Sequence, residues 1–110
     1  MDTRKIGGLD VSIVGIGCNN FGRRLDRAGA DEVVHAAMDA GINFFDTADV
    51  YGDGASEELL GEAFGSWRDE VIIATKFGAQ LGDDPSQSGA SPVGSRVLSR
   101  IVCGAWVPIA

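Results

Sequence analysis

Val71-Ile72-Ile73-Ala74-Thr75 is a run of five apolar or β-branched residues with no polar alternation. A strand of that kind is buried on both faces, which is the habit of parallel sheets covered by helices. The chain before it follows the same plan. Val11-Ser12-Ile13-Val14-Gly15-Ile16 and Ile42-Asn43-Phe44-Phe45 are two further strand candidates, with a small hairpin expected upstream at Lys5-Ile6-Gly7-Gly8-Leu9. Between the strands lie helical periods. Asp31-Glu32 opens the first helix, Val33, Val34, Ala37 and Met38 form its apolar face, and Gly41 stands where a left-handed cap belongs. Ser56 is expected to cap the second, with Glu57 and Glu58 in the first turn, Leu59, Leu60, Ala63 and Phe64 turned inward and Gly65 at its close. The expectation is α/β: three parallel strands and two helices, with a third helix able to start at Ser91-Pro92.

At 110 residues the chain has room for one domain. Its net charge of −7 argues against a sequence-independent hold on nucleic acid or an anionic membrane. Nothing in MDTRKIGGLD resembles the apolar core of a secretory signal. The apolar tail from Ile101 to Ala110 falls short of the roughly 20 residues that span a bilayer. A cytoplasmic location is therefore expected. Cys18 and Cys103 stand far apart with no CxxC or His/Cys cluster, so neither a metal site nor a disulfide framework is read. Charge is uneven along the chain. Residues 1–85 hold all 16 acids and carry −9, whereas residues 86–110 hold only Arg96 and Arg100. The expected boundary between the α/β portion and an atypical tail is therefore near Pro85.

Gly15-Ile16-Gly17-Cys18-Asn19-Asn20 follows a strand as a dinucleotide fingerprint does, but Asn20 replaces the third glycine and the next helix is expected only near Asp31. A tight turn is the simpler reading, and a Rossmann-like binding domain stays a distant alternative. Asp46 and Lys76 each close a strand. In a parallel sheet both reach the C-terminal edge, with Tyr51 in the loop DTADVYGDGA above them, and catalytic groups gather at that edge in α/β sheets and barrels. A phenol is a poor acid at neutral pH. An ammonium beside it favours the ionised form, and a carboxylate keeps that ammonium charged and oriented. Singly, each residue reads better as a turn former, a solvated lysine or a rim aromatic; together, with the register they share, they form a candidate site that could protonate a carbonyl oxygen.

VGIGCNNFG, DAGINFFDTADVYGDGASEELLGEAFG and EVIIATKFG, in that order and spacing, resemble the opening of an aldo-keto reductase over residues 5–78. The resemblance implies a (β/α)8 TIM barrel, here incomplete, and NADPH-dependent reduction of a small aldehyde or ketone substrate without a metal. It makes Tyr51 the proton donor and Asp46 and Lys76 the pair that tunes it. Gly17, Cys18, Asn19 and Asp46 fall where the cofactor passes. The family's catalytic histidine has no counterpart, because the chain's one histidine, His35, lies in the first helix and is expected to be exposed. The barrel portion carries −9, which opposes the phosphates of NADPH. The chain alone is therefore expected to be inactive, and the tail to reflect a truncated or frameshifted copy. The alternative function is a small interaction module, self-associating through exposed strand edges or pairing with an intact reductase.

Overall fold

The structure, a computed structural model, describes residues 1–76. The tail from residue 86, the boundary near residue 85 and the helix expected at Ser91 lie outside the described residues. The chain opens with an antiparallel hairpin, β1 (Thr3–Ile6) and β2 (Leu9–Ser12), turning at Gly7-Gly8 with Ile6 opposite Leu9. Then come β3 (Gly15–Gly17), α1 (Arg27–Asp39), β4 (Phe44–Asp46), α2 (Ala55–Phe64) and β5 (Ile72–Ala74). The three last strands form one parallel sheet in the order β3-β4-β5, with Gly17 opposite Asp46 and Asp46 opposite Ala74. This is the expected α/β order, three strands of a barrel that does not close among the described residues.

The structure corrects three local expectations. The first concerns Val11 to Ile16, which is not one strand. The Ser12 hydroxyl donates to the Val14 carbonyl at 2.6 Å, and the Ser12 N–H donates to Asn43 Oδ1 at 2.9 Å. These bonds turn the chain at Ile13-Val14, so its first half belongs to the hairpin and its second to the sheet. The second concerns α1, which begins at Arg27, a turn before Asp31. Asp26 caps it by accepting from the Gly29 N–H at 2.9 Å. Its other end is as expected: Gly41 has φ +79°, its N–H donates to the Met38 carbonyl and that of Ile42 to the Ala37 carbonyl, which is a Schellman motif.

The third correction concerns Ser56, which does not cap α2. Gly54, in a left-handed conformation, holds the N-cap position, and Ser56 lies inside the helix and is fully buried. From Gly65 the chain continues as a 3-10 helix to Glu70, ahead of β5.

Side chains alternate along each strand, so Phe45 and Ile73 share one face of the sheet while Phe44, Asp46, Ile72 and Ala74 share the other. The first face meets the helices. Phe45 stands edge-on to Phe64 of α2 at 4.8 Å, and Val34, Ala37, Leu60 and Phe21 complete the core between sheet and helices. Fully burying a side chain such as Phe45 or Leu60 contributes roughly 1.5–3 kcal/mol. The second face, with the hairpin, bounds an open cavity of about 540 Å³ lined by Ile6, Val11, Gly15, Phe44 and Asp46 among others. The polar ends of the strands are thus set on a braced edge.

Candidate active site

Asp46 ends β4, and Lys76 lies two residues beyond the end of β5. The sheet continues past both strand ends: the Thr47 N–H donates to the Ala74 carbonyl at 2.8 Å and the Asp49 N–H to the Lys76 carbonyl at 3.2 Å. That extension brings the two side chains onto one face. The Lys76 ammonium donates to Asp46 Oδ1 and, at 2.9 Å, to the Thr47 carbonyl. Its Nζ lies 5.4 Å from the centre of the Tyr51 ring. The carboxylate of Asp46, above all through its hydrogen bond, raises the pKa of Lys76, and Tyr51 adds to the effect. The geometry thus brings together Asp46, Tyr51 and Lys76, with the lysine held as a cation.

Tyr51 heads a tight turn, Tyr51–Gly54, in which Gly52 and Asp53 have positive φ. Gly52 fits closely there, since a Cβ on it would meet the Gly22 carbonyl and Ala55 at 3.1 Å. The half-buried Tyr51 lines a cavity of about 510 Å³ with Asn19, Arg23, Val50, Gly52 and Asp53. Of the loop residues expected near a cofactor, Gly17 and Asn19 are exposed, whereas the Cys18 side chain is fully buried. Burial, with help from the Asp46 charge, pushes its thiol up to about 12. Cys18 therefore presents only backbone to this loop, its N–H donating to the Asp46 carbonyl at 2.9 Å. His35 is exposed on α1, edge-on to Trp67 at 4.9 Å, and takes no part in the cluster.

Beneath the edge lies a buried polar layer that sequence reasoning missed. Ser56 Oγ donates to the Cys18 carbonyl at 3.0 Å and shares a 2.8 Å hydrogen bond with Thr47 Oγ1, which ties the first loop, β4 and α2 together. Glu57 is fully buried and accepts from the Thr75 hydroxyl, and Asp49 is 2% exposed. Each of these two carboxyls keeps one oxygen without a hydrogen-bond partner. Burial raises the pKa of both, and Asp49 pushes Glu57 further in the same direction. The signal for Glu57 was available: it stands three residues before Leu60 and seven before Phe64, on the apolar face of α2.

A family model described as the aldo/keto reductase family matches residues 13–97. The chain belongs to that family. An uncharacterised oxidoreductase of Bacillus subtilis is 36% identical over an alignment spanning 92% of this chain and 35% of its own length. An aldo-keto reductase of Schizosaccharomyces pombe, whose name carries NADP(+), is 42% identical over 69% of the chain and 24% of its own length. Among solved structures, an aldo-keto reductase from Bacillus halodurans in its holo form superposes with a TM-score of 0.76 at 30% identity, covering 96% of this chain and 36% of that one. The chain thus spans about a third or less of the length of these relatives. The aldo/keto reductase family is a family of oxidoreductases, and the sheet described here is the opening part of its barrel. Among the described residues no helix is long and apolar enough to cross a membrane, and no group of three His, Cys, Asp or Glu side chains could hold a metal ion.

Proposed function

We propose that the Asp46–Tyr51–Lys76 cluster is the proton-donating site of an NADPH-dependent carbonyl reductase, acting on small aldehydes or ketones in the cytoplasm. The observation that carries the reading is the Lys76 ammonium held between the Asp46 carboxylate and the Tyr51 ring. As a substrate oxygen gains electron density, the Tyr51 hydroxyl donates its proton, and the adjacent ammonium stabilises the charge left on the phenol oxygen. Asp46 keeps Lys76 charged and fixed, so little reorganisation is needed at the moment of transfer. NADPH, when bound, supplies the hydride.

The residues present suit only the nicotinamide end of that cofactor. Gly17 is exposed, with nothing within 4 Å of where a Cβ would stand, and the exposed Asn19 lines the same cavity as Tyr51. Asp46 and Gly17 both line the neighbouring cavity against the hairpin. The phosphates find no such match, because residues 1–85 carry a net charge of −9. The strands that complete a barrel must hold them and supply the histidine this chain lacks, so the chain alone is expected to be inactive.

The test joins this chain to the remaining barrel strands of the Bacillus subtilis relative and follows NADPH consumption with a panel of aldehydes and ketones. The joined protein should turn over, and Tyr51→Phe should cut the rate by roughly 10²–10⁴-fold, the worth of a positioned general acid, with cofactor affinity nearly unchanged. Equal rates with and without the phenol hydroxyl would remove Tyr51 from the role of acid. A second reading, a self-associating module, draws support from the exposed apolar residues Ile6, Leu9, Ile13 and Val14.

A further inference from the structure

Glu57 is the one fully buried carboxylate of α2, and its position is costly. A charged or unpartnered carboxyl in such a place is tolerated only where other contacts hold it, yet one of its oxygens has no partner. The other accepts from Thr75 Oγ1. Thr75 immediately precedes Lys76. Strand alternation sends the Thr75 side chain towards α2 and the Lys76 side chain to the opposite face, where Asp46 and Tyr51 stand. Lys76 is also held along the backbone by the Asp49 N–H, which donates to its carbonyl at 3.2 Å. A side chain on the helix layer thereby fixes the direction of a side chain on the other layer.

We propose that Glu57 is a positioning residue for Lys76, acting through Thr75 as a hydrogen-bond acceptor that locks the end of β5. Its role rests on the reading of Lys76 as part of the reacting cluster, but the effect is on Lys76 itself and is measurable without turnover. What the acceptor must supply is an oxygen in the right place, and charge is not required. Glutamine at position 57 preserves that oxygen and leucine removes it, while valine at position 75 keeps the β-branched shape of threonine and removes the donor.

The experiment follows the titration of the Lys76 amine by NMR in the full chain, labelled at the lysine side-chain carbon next to nitrogen. The groups facing Lys76 are Asp46 and Tyr51, with Cys18 nearby and Asp49 beside Glu57. In the unaltered chain and in Glu57→Gln the amine should titrate above the ordinary lysine value of 10.5. In Thr75→Val and Glu57→Leu it should shift down towards that value, as the lysine loses its fixed approach to Asp46. A merely structural Glu57 would change the unfolding midpoint and leave the Lys76 titration where it was. Thr75 is an exposed position, so Thr75→Val decides the matter if Glu57→Leu fails to fold. A folded Thr75→Val chain whose Lys76 titrates as in the parent would overturn the proposal, as would Glu57→Gln shifting it as far as the leucine variant. If the shifts occur and no carbonyl compound is ever reduced, the positioning role stands and only the reading of the reaction falls.

Discussion

At the scale of single residues, the described chain divides its carboxylates by environment. Asp46 is half-exposed and paired with Lys76, whereas Asp49 and Glu57 are buried with an oxygen each left over. The buried pair makes stability depend on pH in a sense opposite to the usual carboxylate. Burial raises the folded-state pKa of Glu57 above its ordinary 4.5, so between those values the native state binds more protons than the unfolded one. Stability from this group is therefore largest at acid pH and is lost as pH rises through that window. Glu57→Gln cannot ionise and keeps the acceptor for Thr75. It should raise the urea midpoint relative to the parent at neutral pH, with the gain disappearing as pH falls below 4.5. A gain of the same size at both pH values would mean that ionisation is not what the substitution removes. Asp49, also raised by burial, leaves a residual slope of the same sign in the variant.

At the scale of elements, the joint between the first loop, β4 and α2 is polar. Ser56→Ala leaves the buried Thr47 hydroxyl without its partner and takes one donor from the Cys18 carbonyl. The expected cost is roughly 1–3 kcal/mol in a denaturant titration, the penalty of a buried polar group left unpaired. A loss too small to measure would mean that water serves these groups instead. The same joint explains what could and could not be read from sequence. The strand order and the meeting of Asp46, Tyr51 and Lys76 were legible because apolar runs fix where parallel strands end, and strand ends share an edge. The helix ends at Gly41 and Gly65 were legible because few other residues adopt those conformations. The break at Ser12 was not, since it depends on Asn43, 31 residues away. Ser56 misled for a related reason: its hydroxyl suits an N-cap, but a tertiary acceptor, the Cys18 carbonyl, took it instead.

At the scale of the whole molecule, the sheet β3-β4-β5 has an open edge on each side among the described residues, and one of its faces is only partly covered. Parallel strands are normally buried on both faces. Ile6 and Ile13, which line the cavity on that face, and Leu9 and Val14 beside them in the chain's first turns are each about half exposed. Removing such side chains from water favours association, while the net charge of −7 opposes it. The two terms respond differently to salt: screening weakens the repulsion and leaves the apolar attraction in place. The 110-residue chain should therefore self-associate in sedimentation velocity, more strongly at higher salt. Replacing Ile13 and Val14 with glutamate removes apolar area and deepens the net negative charge that opposes association, so the dissociation constant should rise by roughly tenfold or more. An unaltered chain that stays monomeric across concentration and salt, and unfolds in one sharp transition, would show that the exposed face needs no cover and that the open sheet is a stable small domain.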